Sequence, residues 1–284
     1  MITVTQNGNN IEVVGIDDFS LAHTLDCGQA FRWSECDDGS WQGVAFGRYL
    51  KISAENKKLI FHDTDFEEFE AVWRSYFDID RDYNYIKSIL SADEILKKAA
   101  EFAGGIKVLR QDAWECLWSF IISQNNNIPR IKGIINRLCE SFGEPIGNGF
   151  YSFPSAERIA ALTLEDLAPL RSGFRAKYIL DAAKRVVSGE INLKEISEMK
   201  SDAARSELTK IYGVGDKVAD CVLLFGMGHI NVLPKDVWIK RVLSRLFDGA
   251  LPDFAAPYAG IAQQYLFHYA RMTKLDIGEN KNER

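Results

Sequence analysis

The sequence predicts an α+β protein in which an N-terminal antiparallel β-sheet is followed by an all-helical body. Up to about residue 65, short segments of alternating apolar and polar residues are separated by turn-forming residues, as in antiparallel strands. Beyond that point the apolar residues recur at three- and four-residue steps, as in amphipathic helices. We therefore predict a sheet domain over residues 1–90 and a helical domain over residues 91–284.

The predicted sheet begins with a hairpin. Residues 2–6 and 11–14 are apolar-rich segments on either side of Asn7-Gly8, a dipeptide that tolerates the positive φ angles of a tight turn. Four further strands are predicted, at residues 29–33, 41–46, 49–53 and 59–62. Because such sheets commonly expose one face, we expect one solvated, acidic face.

The helical pattern begins near Asp65. Phe66, Phe69, Trp73 and Phe77 recur at the spacing of one helix face. Glycine and proline separate the helices predicted after it, at residues 113–122, 128–142, 176–187, 203–211, 217–225, 237–247 and 258–269.

Composition excludes several classes of protein. The five cysteines are scattered without a CxxC pair, and the four histidines have no zinc-binding spacing, so we expect no metal and no cofactor. No apolar run approaches the ~20 residues that span a bilayer, and residues 1–10 lack the features of a signal peptide. We expect a monomer without membrane contact, in a reduced intracellular setting, cytoplasmic or nucleoid-associated.

The charge is unevenly distributed along the chain. The net charge is -6, but residues 1–90 hold 16 of the 40 acidic residues and only 8 of the 34 basic ones. Any nucleic-acid contact is therefore expected on residues 91–284. A local positive cluster surrounds Asp236 and comprises Lys235, Lys240, Arg241 and Arg245. A solvated helix face explains this cluster equally well.

Residues 208–225, LTKIYGVGDKVADCVLLF, predict two helices joined by a tight hairpin. Gly213 and Gly215 permit a sharp turn and a close approach of the backbone to another molecule. The helix that opens at Asp216 presents free N–H groups and its positive dipole end, which suit a phosphate of double-stranded DNA. Such hairpins occur in enzymes and in plain DNA-binding modules, so the hairpin alone favours neither.

Lys217 favours an enzyme. An ammonium in the first turn of a helix opposes the dipole, which disfavours the charged form and suits an amine nucleophile. Cys221 lies one turn further on the same face. Nineteen residues after the lysine, Asp236 follows Pro234 at a predicted helix start. It is either a helix cap alone or a cap that also stabilises positive charge on a sugar.

The hairpin, with Lys217 and Asp236, resembles the lysine-bearing branch of the helix–hairpin–helix glycosylase superfamily. Further segments resemble the 8-oxoguanine DNA glycosylases: GQAFRW (28–33), CLWSFIISQNNNIPR (116–130), LRSGFRAKY (170–178) and YAGIAQQYLF (258–267). The resemblance implies a TATA-binding-protein-like sheet domain and a bifunctional glycosylase and AP lyase of base excision repair. In it, Lys217 attacks C1′ of 8-oxoguanine opposite cytosine and forms a Schiff base, while Asp236 stabilises the sugar cation.

The resemblance also implies how the damaged base is bound. The base leaves the duplex and lies between Cys221 and Phe267, with Gln263 contacting its Watson–Crick edge. The Gly28 carbonyl would accept the hydrogen that 8-oxoguanine, unlike guanine, carries at N7. Without the family match, Phe267 and Gln263 would be interpreted as a core aromatic and a surface amide.

The same resemblance assigns the DNA contacts. Asn125, Arg130 and Arg175 would contact the cytosine left behind, and Phe174 would be the wedge between bases. Gly213, Gly215 and Lys240 would hold the backbone. Three residues depart from the family pattern, namely Phe174 where many relatives have tyrosine, Trp238 where some have histidine, and Ala270 where animal relatives have an acidic residue.

Two alternatives remain open from the sequence. A non-catalytic helix–hairpin–helix protein that binds DNA lesions would keep the hairpin, but it would not need Lys217 together with Asp236. A related iron–sulfur endonuclease would carry four cysteines near its C-terminus, whereas the last cysteine here is Cys221.

Overall fold

Six antiparallel strands form the N-terminal sheet in the computed structural model, which describes residues 2–16 and 18–273. The strands are β1 (Thr3–Asn7), β2 (Asn10–Val14), β3 (Trp33–Glu35), β4 (Trp41–Ala45), β5 (Arg48–Glu55) and β6 (Lys58–His62), in the spatial order β1-β2-β6-β5-β4-β3. A small second sheet pairs β7 (Pro145–Gly147) with β8 (Phe150–Tyr151). The predicted α+β class, with a sheet before a helical body, is confirmed.

Helices make up most of the remaining described chain. They are α1 (Leu21–Leu25), α2 (Phe66–Glu68), α3 (Arg74–Tyr76), α4 (Tyr83–Leu90), α5 (Glu94–Ala103), α6 (Ala113–Ser123), α7 (Ile128–Phe142), α8 (Ala156–Ala160), α9 (Leu164–Leu167), α10 (Ala176–Val187), α11 (Leu193–Glu198), α12 (Ser201–Leu208), α13 (Asp216–Gly226), α14 (Val237–Leu246) and α15 (Ala259–Met272). A π-helical turn at Phe69–Trp73 joins α2 to α3. Helices α7 and α10 have the predicted bounds, whereas α1, α4, α5, α8, α9 and α11 were not predicted.

The predicted strand at residues 29–33 is wrong, because pairing in this segment begins only at Trp33. The buried Gln29 side chain bonds backbone groups that a neighbouring strand would otherwise pair with. Its Nε2 donates to the carbonyls of Thr24 and Lys107, both at 2.8 Å, and its Oε1 accepts from the amide of Leu109 at 3.0 Å. An apolar alternation cannot show that a side chain, rather than a neighbouring strand, satisfies the backbone.

Two hydrophobic cores meet at residues 27–33. Cys27 and Phe31 pack in the helical core, whereas Trp33 packs in the sheet core. Trp33 Nε1 also donates to the Tyr76 hydroxyl at 2.7 Å, within a group of edge-to-face aromatic rings. Helix α4, which ends at the predicted domain boundary, contributes its buried residues to the helical core. The boundary at residue 90 stays a prediction.

Candidate active site

The hairpin between α12 and α13 has two glycines with different roles. Gly213 has φ +82°, and a Cβ there would lie 2.4 Å from the ring of Tyr178, so only glycine fits. Gly215 is extended and precedes α13 without a side-chain cap, and a Cβ there would meet nothing within 4 Å. The first N–H groups of α13 therefore face outward, as an anion site at a helix N-terminus requires.

Lys217 lies in the first turn of α13, as predicted, and is half-buried. Its Nζ is 5.4 Å from the ring centre of Phe120, on α6. Phe120 in turn stacks on Phe225 at 5.4 Å and contacts Phe31 edge-on at 5.8 Å. The amine thus lies over a cluster of three aromatic rings, which limits its contact with water on that side. One of the three, Phe31, belongs to the GQAFRW segment.

The pKa of the Cys221 thiol depends on both Lys217 and Asp236. Burial raises the pKa of its thiol to about 11, the neighbouring Lys217 opposes that rise, and the Asp236 carboxylate adds to it. The thiol is therefore neutral at physiological pH. Lys217 and Cys221 thus lie one turn apart on α13, and the charge of Asp236, at the start of α14, acts on the same thiol.

Asp236 is the N-cap of α14, as the sequence predicted. Its Oδ1 accepts from the amide of Ile239 at 2.7 Å, and the preceding Pro234 is buried. A cap fixes the carboxylate in one orientation, because its position is tied to the first turn of a helix. This arrangement is compatible with a cap that also stabilises a cation.

A polar cavity of about 850 Å³ opens beside Lys217. Its lining consists of Met199, Lys200, Ser201, Asp202, Arg205, Asp216, Lys217, Asp220, His229, Asn231, Val232, Leu233, Lys235 and Lys240. Arg205 is bound by Asp220 at 2.5 Å and by Asp202 at 2.8 Å. Lys240, predicted to contact the DNA backbone, thus shares one cavity with Lys217.

Gly28 lies in a rigidly held loop next to α7. It has φ +87°, and a Cβ there would be 3.7 Å from Ile128 Cδ1, an ordinary contact. The backbone conformation, rather than crowding, therefore requires glycine here. Gln29, which follows Gly28, is held in place by the hydrogen bonds of its own side chain. Its carbonyl also accepts from Gln111 Nε2 at 2.6 Å.

Helix α15 carries Gln263 and Phe267, which are buried and half-buried respectively. The helix approaches α13 closely at Gly260, where a Cβ would lie 2.4 Å from Leu224 Cδ1 and 2.8 Å from the Val232 carbonyl. Gln263 follows one turn after this contact on α15. The sequence alone indicates no role for Gly260 or Phe120, because both act through contacts with residues distant in the chain.

The three consecutive asparagines have different tasks. Asn126 Nδ2 donates to the Ile122 carbonyl at 3.0 Å, and Asn127 caps α7 by accepting from the Arg130 amide at 3.0 Å. Asn125 is exposed and has φ +47°, a conformation that asparagine tolerates better than most residues. Only Asn125 was predicted to contact a base, and its exposure suits that role.

Arg175 is 2% exposed and binds the backbone of the loop that contains Asn125. Its guanidinium donates to the carbonyls of Gln124 (2.8 Å from Nε), Asn125 (2.9 Å) and Ser172 (3.2 Å). Arg130, in contrast, is exposed, with Nη2 3.5 Å from the Arg171 carbonyl. The predicted cytosine contact of Arg175 stays a prediction, and most of its donors are engaged in this structure.

Phe174 is half exposed and is linked to the hairpin through aromatic contacts. It meets Tyr178 edge-on at 5.8 Å, and Tyr178 meets Tyr212 at 5.0 Å. The predicted wedge and the predicted phosphate site thus share one surface. Of the other two departures from the family pattern, Trp238 is exposed two residues after Asp236, and Ala270 is buried on α15.

A sheet joined to a helical body, with a lysine at the start of a hairpin helix and an aspartate that caps the next helix, defines a helix–hairpin–helix DNA glycosylase. Comparison with family models agrees. Residues 13–117 match the 8-oxoguanine DNA glycosylase N-terminal domain, and residues 118–250 match the HhH-GPD superfamily of base excision DNA repair proteins. The chain belongs to the 8-oxoguanine DNA glycosylase family, and it is an N-glycosylase and DNA lyase of base excision repair.

Individual relatives support this assignment over most of the chain. The N-glycosylase/DNA lyase of Saccharomyces cerevisiae is 32% identical over 259 residues, covering 79% of this chain and 67% of the relative. A structure of MBOgg1 with a low-affinity DNA ligand is 45% identical, with a TM-score of 0.91, and covers 96% of this chain and 99% of that one. The Clostridium acetobutylicum 8-oxoguanine glycosylase/lyase, in complex with DNA containing cytosine opposite 8-oxoguanine, is 38% identical with a TM-score of 0.89 and coverage of 97% and 99%.

Within residues 2–16 and 18–273, no helix is long and apolar enough to cross a membrane.

Proposed function

We propose that this protein, as a monomer, excises 8-oxoguanine opposite cytosine in double-stranded DNA, with Lys217 as the nucleophile. The observation that carries this proposal is the position of the Lys217 amine, 5.4 Å from the centre of the Phe120 ring and beside Cys221, in the first turn of the hairpin helix. The complex of the Clostridium acetobutylicum relative with 8-oxoguanine opposite cytosine supports the choice of substrate.

The chemistry follows from the amine and the carboxylate. The uncharged Nζ bonds to C1′ as the C1′–N9 bond breaks, and the bonding electrons leave with the base. Asp236 stabilises the positive charge that develops on the sugar. After Nζ loses a proton, the sugar ring opens to a Schiff base, and loss of a proton from C2′ eliminates the 3′ phosphate.

In this proposal, the Gly28 loop, α13 and α15 form the pocket that binds the damaged base. The flipped base lies between Cys221 and Phe267, and Gln263 contacts its Watson–Crick edge. The Gly28 carbonyl accepts the N7 hydrogen of the lesion. The bonds that Gln29 makes to the backbone of Thr24, Lys107 and Leu109 support this role, since they hold the loop in place.

Borohydride trapping tests the covalent step. We expect the wild-type protein to form a stable adduct on a duplex with 8-oxoguanine opposite cytosine, because borohydride reduces a Schiff base. Lys217→Gln should abolish both adduct and excision while the variant still binds the duplex. Lys98→Gln, which removes an exposed lysine from α5, is the matched control. Excision by the wild type without any adduct would exclude the Schiff base, and binding without excision would favour the lesion-binding alternative.

Opposite-base selectivity tests the DNA-contacting residues. Asn125, Arg130 and Arg175 would contact cytosine, Phe174 would fill the gap, and Gly213, Gly215 and Lys240 would hold the backbone. An unsatisfied buried donor costs about 1–3 kcal/mol, so excision opposite cytosine should exceed that opposite adenine by about 5- to 150-fold.

Single-turnover excision opposite each of the four bases measures this preference. Arg130→Ala should reduce it, and Arg48→Ala, which removes an exposed arginine from the sheet, should not. Equal wild-type rates opposite cytosine and adenine would rule out the cytosine contacts.

A further inference from the structure

Two adjacent glutamines on α15 form a polar relay inside the helical body. Gln263 and Gln264 are each only 5% exposed, and Gln264 Nε2 donates to Gln263 Oε1 at 2.7 Å. Cys27 Sγ lies 3.5 Å from Gln264 Oε1 and at the same distance from the Thr24 carbonyl. The relay therefore runs from the residue that precedes Gly28 to the glutamine that faces the lesion.

The relay has a direction, because each amide has one donating and one accepting end. In this structure the Gln264 oxygen lies toward the Cys27 thiol, and the Gln264 nitrogen donates to Gln263. Burial raises the pKa of Cys27 to about 12, so the S–H proton is retained. Reversing one amide would set two donors or two acceptors face to face, which is costly in a buried site.

We propose that Gln264 is a positioning residue that fixes the orientation of the Gln263 amide and so makes the pocket select a guanine-type edge. One lone pair of Gln263 Oε1 is occupied by Gln264, and the other accepts from the N1–H or 2-amino group of the base. An adenine-type edge has an acceptor at N1 and no 2-amino group, so it finds an acceptor where it needs a donor. This inference rests on the proposed contact between Gln263 and the base.

The ratio of excision rates for 8-oxoguanine and 8-oxoadenine isolates the effect. Both bases carry the 8-oxo group and the N7 hydrogen, so the Gly28 contact is common to them. Both lesions are placed opposite cytosine in the same flanking sequence, and single-turnover rates are measured for the wild type, Gln264→Leu and Gln264→Glu. Thermal melting and binding to a duplex with a tetrahydrofuran abasic site show that each variant is folded.

We expect the wild type to favour 8-oxoguanine and Gln264→Leu to lower the ratio about three- to tenfold, the value of one neutral hydrogen bond. Gln264→Glu adds a pH dependence that a purely structural role would not produce. An ionised carboxylate only accepts and should turn the Gln263 amide around, whereas the protonated acid can donate and restore the ratio at low pH.

The outcomes separate the two hypotheses. No preference in the wild type would remove the proposed Gln263 contact itself. A wild-type preference that both variants keep would overturn the role of Gln264 while leaving the proposed function intact. A preference that both variants lose, without recovery of Gln264→Glu at low pH, would show that Gln264 only packs.

Discussion

At the scale of single residues, the glycines of the site are required for different physical reasons. Gly28 needs its backbone conformation, since φ is +87° while a Cβ would meet only an ordinary contact. Gly260 needs space, because a Cβ would clash with Leu224 and the Val232 carbonyl. A sequence shows that a glycine is present, but the fold decides whether its φ angle or its neighbours make it necessary.

The Gly28 carbonyl gives a prediction about the lesion. An analogue that keeps the 8-oxo group but has a C–H at position 7 should bind about two- to tenfold more weakly, because C–H is a poor donor and one neutral bond of about 0.5–1.5 kcal/mol is mostly lost. Gly28→Ala, strained at positive φ, should slow excision without weakening non-specific DNA binding, and it should bind lesion and analogue alike. Titrations with labelled duplexes measure both. Wild-type protein that binds the two bases equally would place the discrimination elsewhere.

At the scale of elements, the two glycines of the hairpin differ in their surroundings. Gly213 packs against a side chain, whereas Gly215 leaves open space at the start of α13. Gly213 closes against Tyr178, which lies near Phe174, and so couples the turn to the surface of the predicted wedge. Gly215 leaves the start of α13 open to an anion. Packing and binding are therefore divided between two residues of one GVG sequence.

This division predicts opposite effects for two similar variants. Gly213→Ala should lower the free energy of unfolding by about 2–4 kcal/mol, because it combines a positive-φ penalty with overpacking against Tyr178. Gly215→Ala should cost less than about 1 kcal/mol, yet weaken duplex binding, since its methyl group obstructs a phosphate. Denaturant unfolding and duplex titration separate the two effects. Equal stability of the two variants would contradict the assigned contact with Tyr178.

At the scale of the whole molecule, a buried ion pair lies where the GQAFRW segment meets α6. Arg32 Nη1 is 3.5 Å from Glu115 Oε2, and Arg32 also donates to the Tyr151 carbonyl. Burial raises the pKa of Glu115 to about 7, although the Arg32 charge opposes that rise. The junction of the two cores is therefore sensitive to pH.

The direction of the pH effect on stability follows from the number of protons bound in the folded and unfolded states. Between the ordinary pKa of 4.5 and the folded value of about 7, the folded state holds a proton on Glu115 that the unfolded chain has lost. The free energy of unfolding should thus fall as pH rises through this window, by at most about 3 kcal/mol. Glu115→Gln should remove this contribution, so melting curves from pH 5 to 8 should diverge for wild type and variant. Parallel pH profiles would contradict the raised pKa.

The sequence by itself determined what depends on local physics. The hairpin turn, the Lys217 position at a helix start, the Asp236 cap and the bounds of α7 and α10 all follow from neighbours within a few residues, where turn chemistry and periodicity operate. The order of motifs along the chain also identified the family. The site residues assigned through that resemblance remain predictions about chemistry, although the structure brings their elements together.

Only the tertiary structure decided which partner each polar side chain has. Arg175 donates to the carbonyls of Gln124 and Asn125, which lie 51 and 50 residues earlier in the chain. The irregular segment after Gly28 and the contact of Gln264 with Cys27 likewise depend on residues far apart in sequence. A buried donor or acceptor must find a partner somewhere, and the folded chain, rather than its local pattern, determines which partner is within reach.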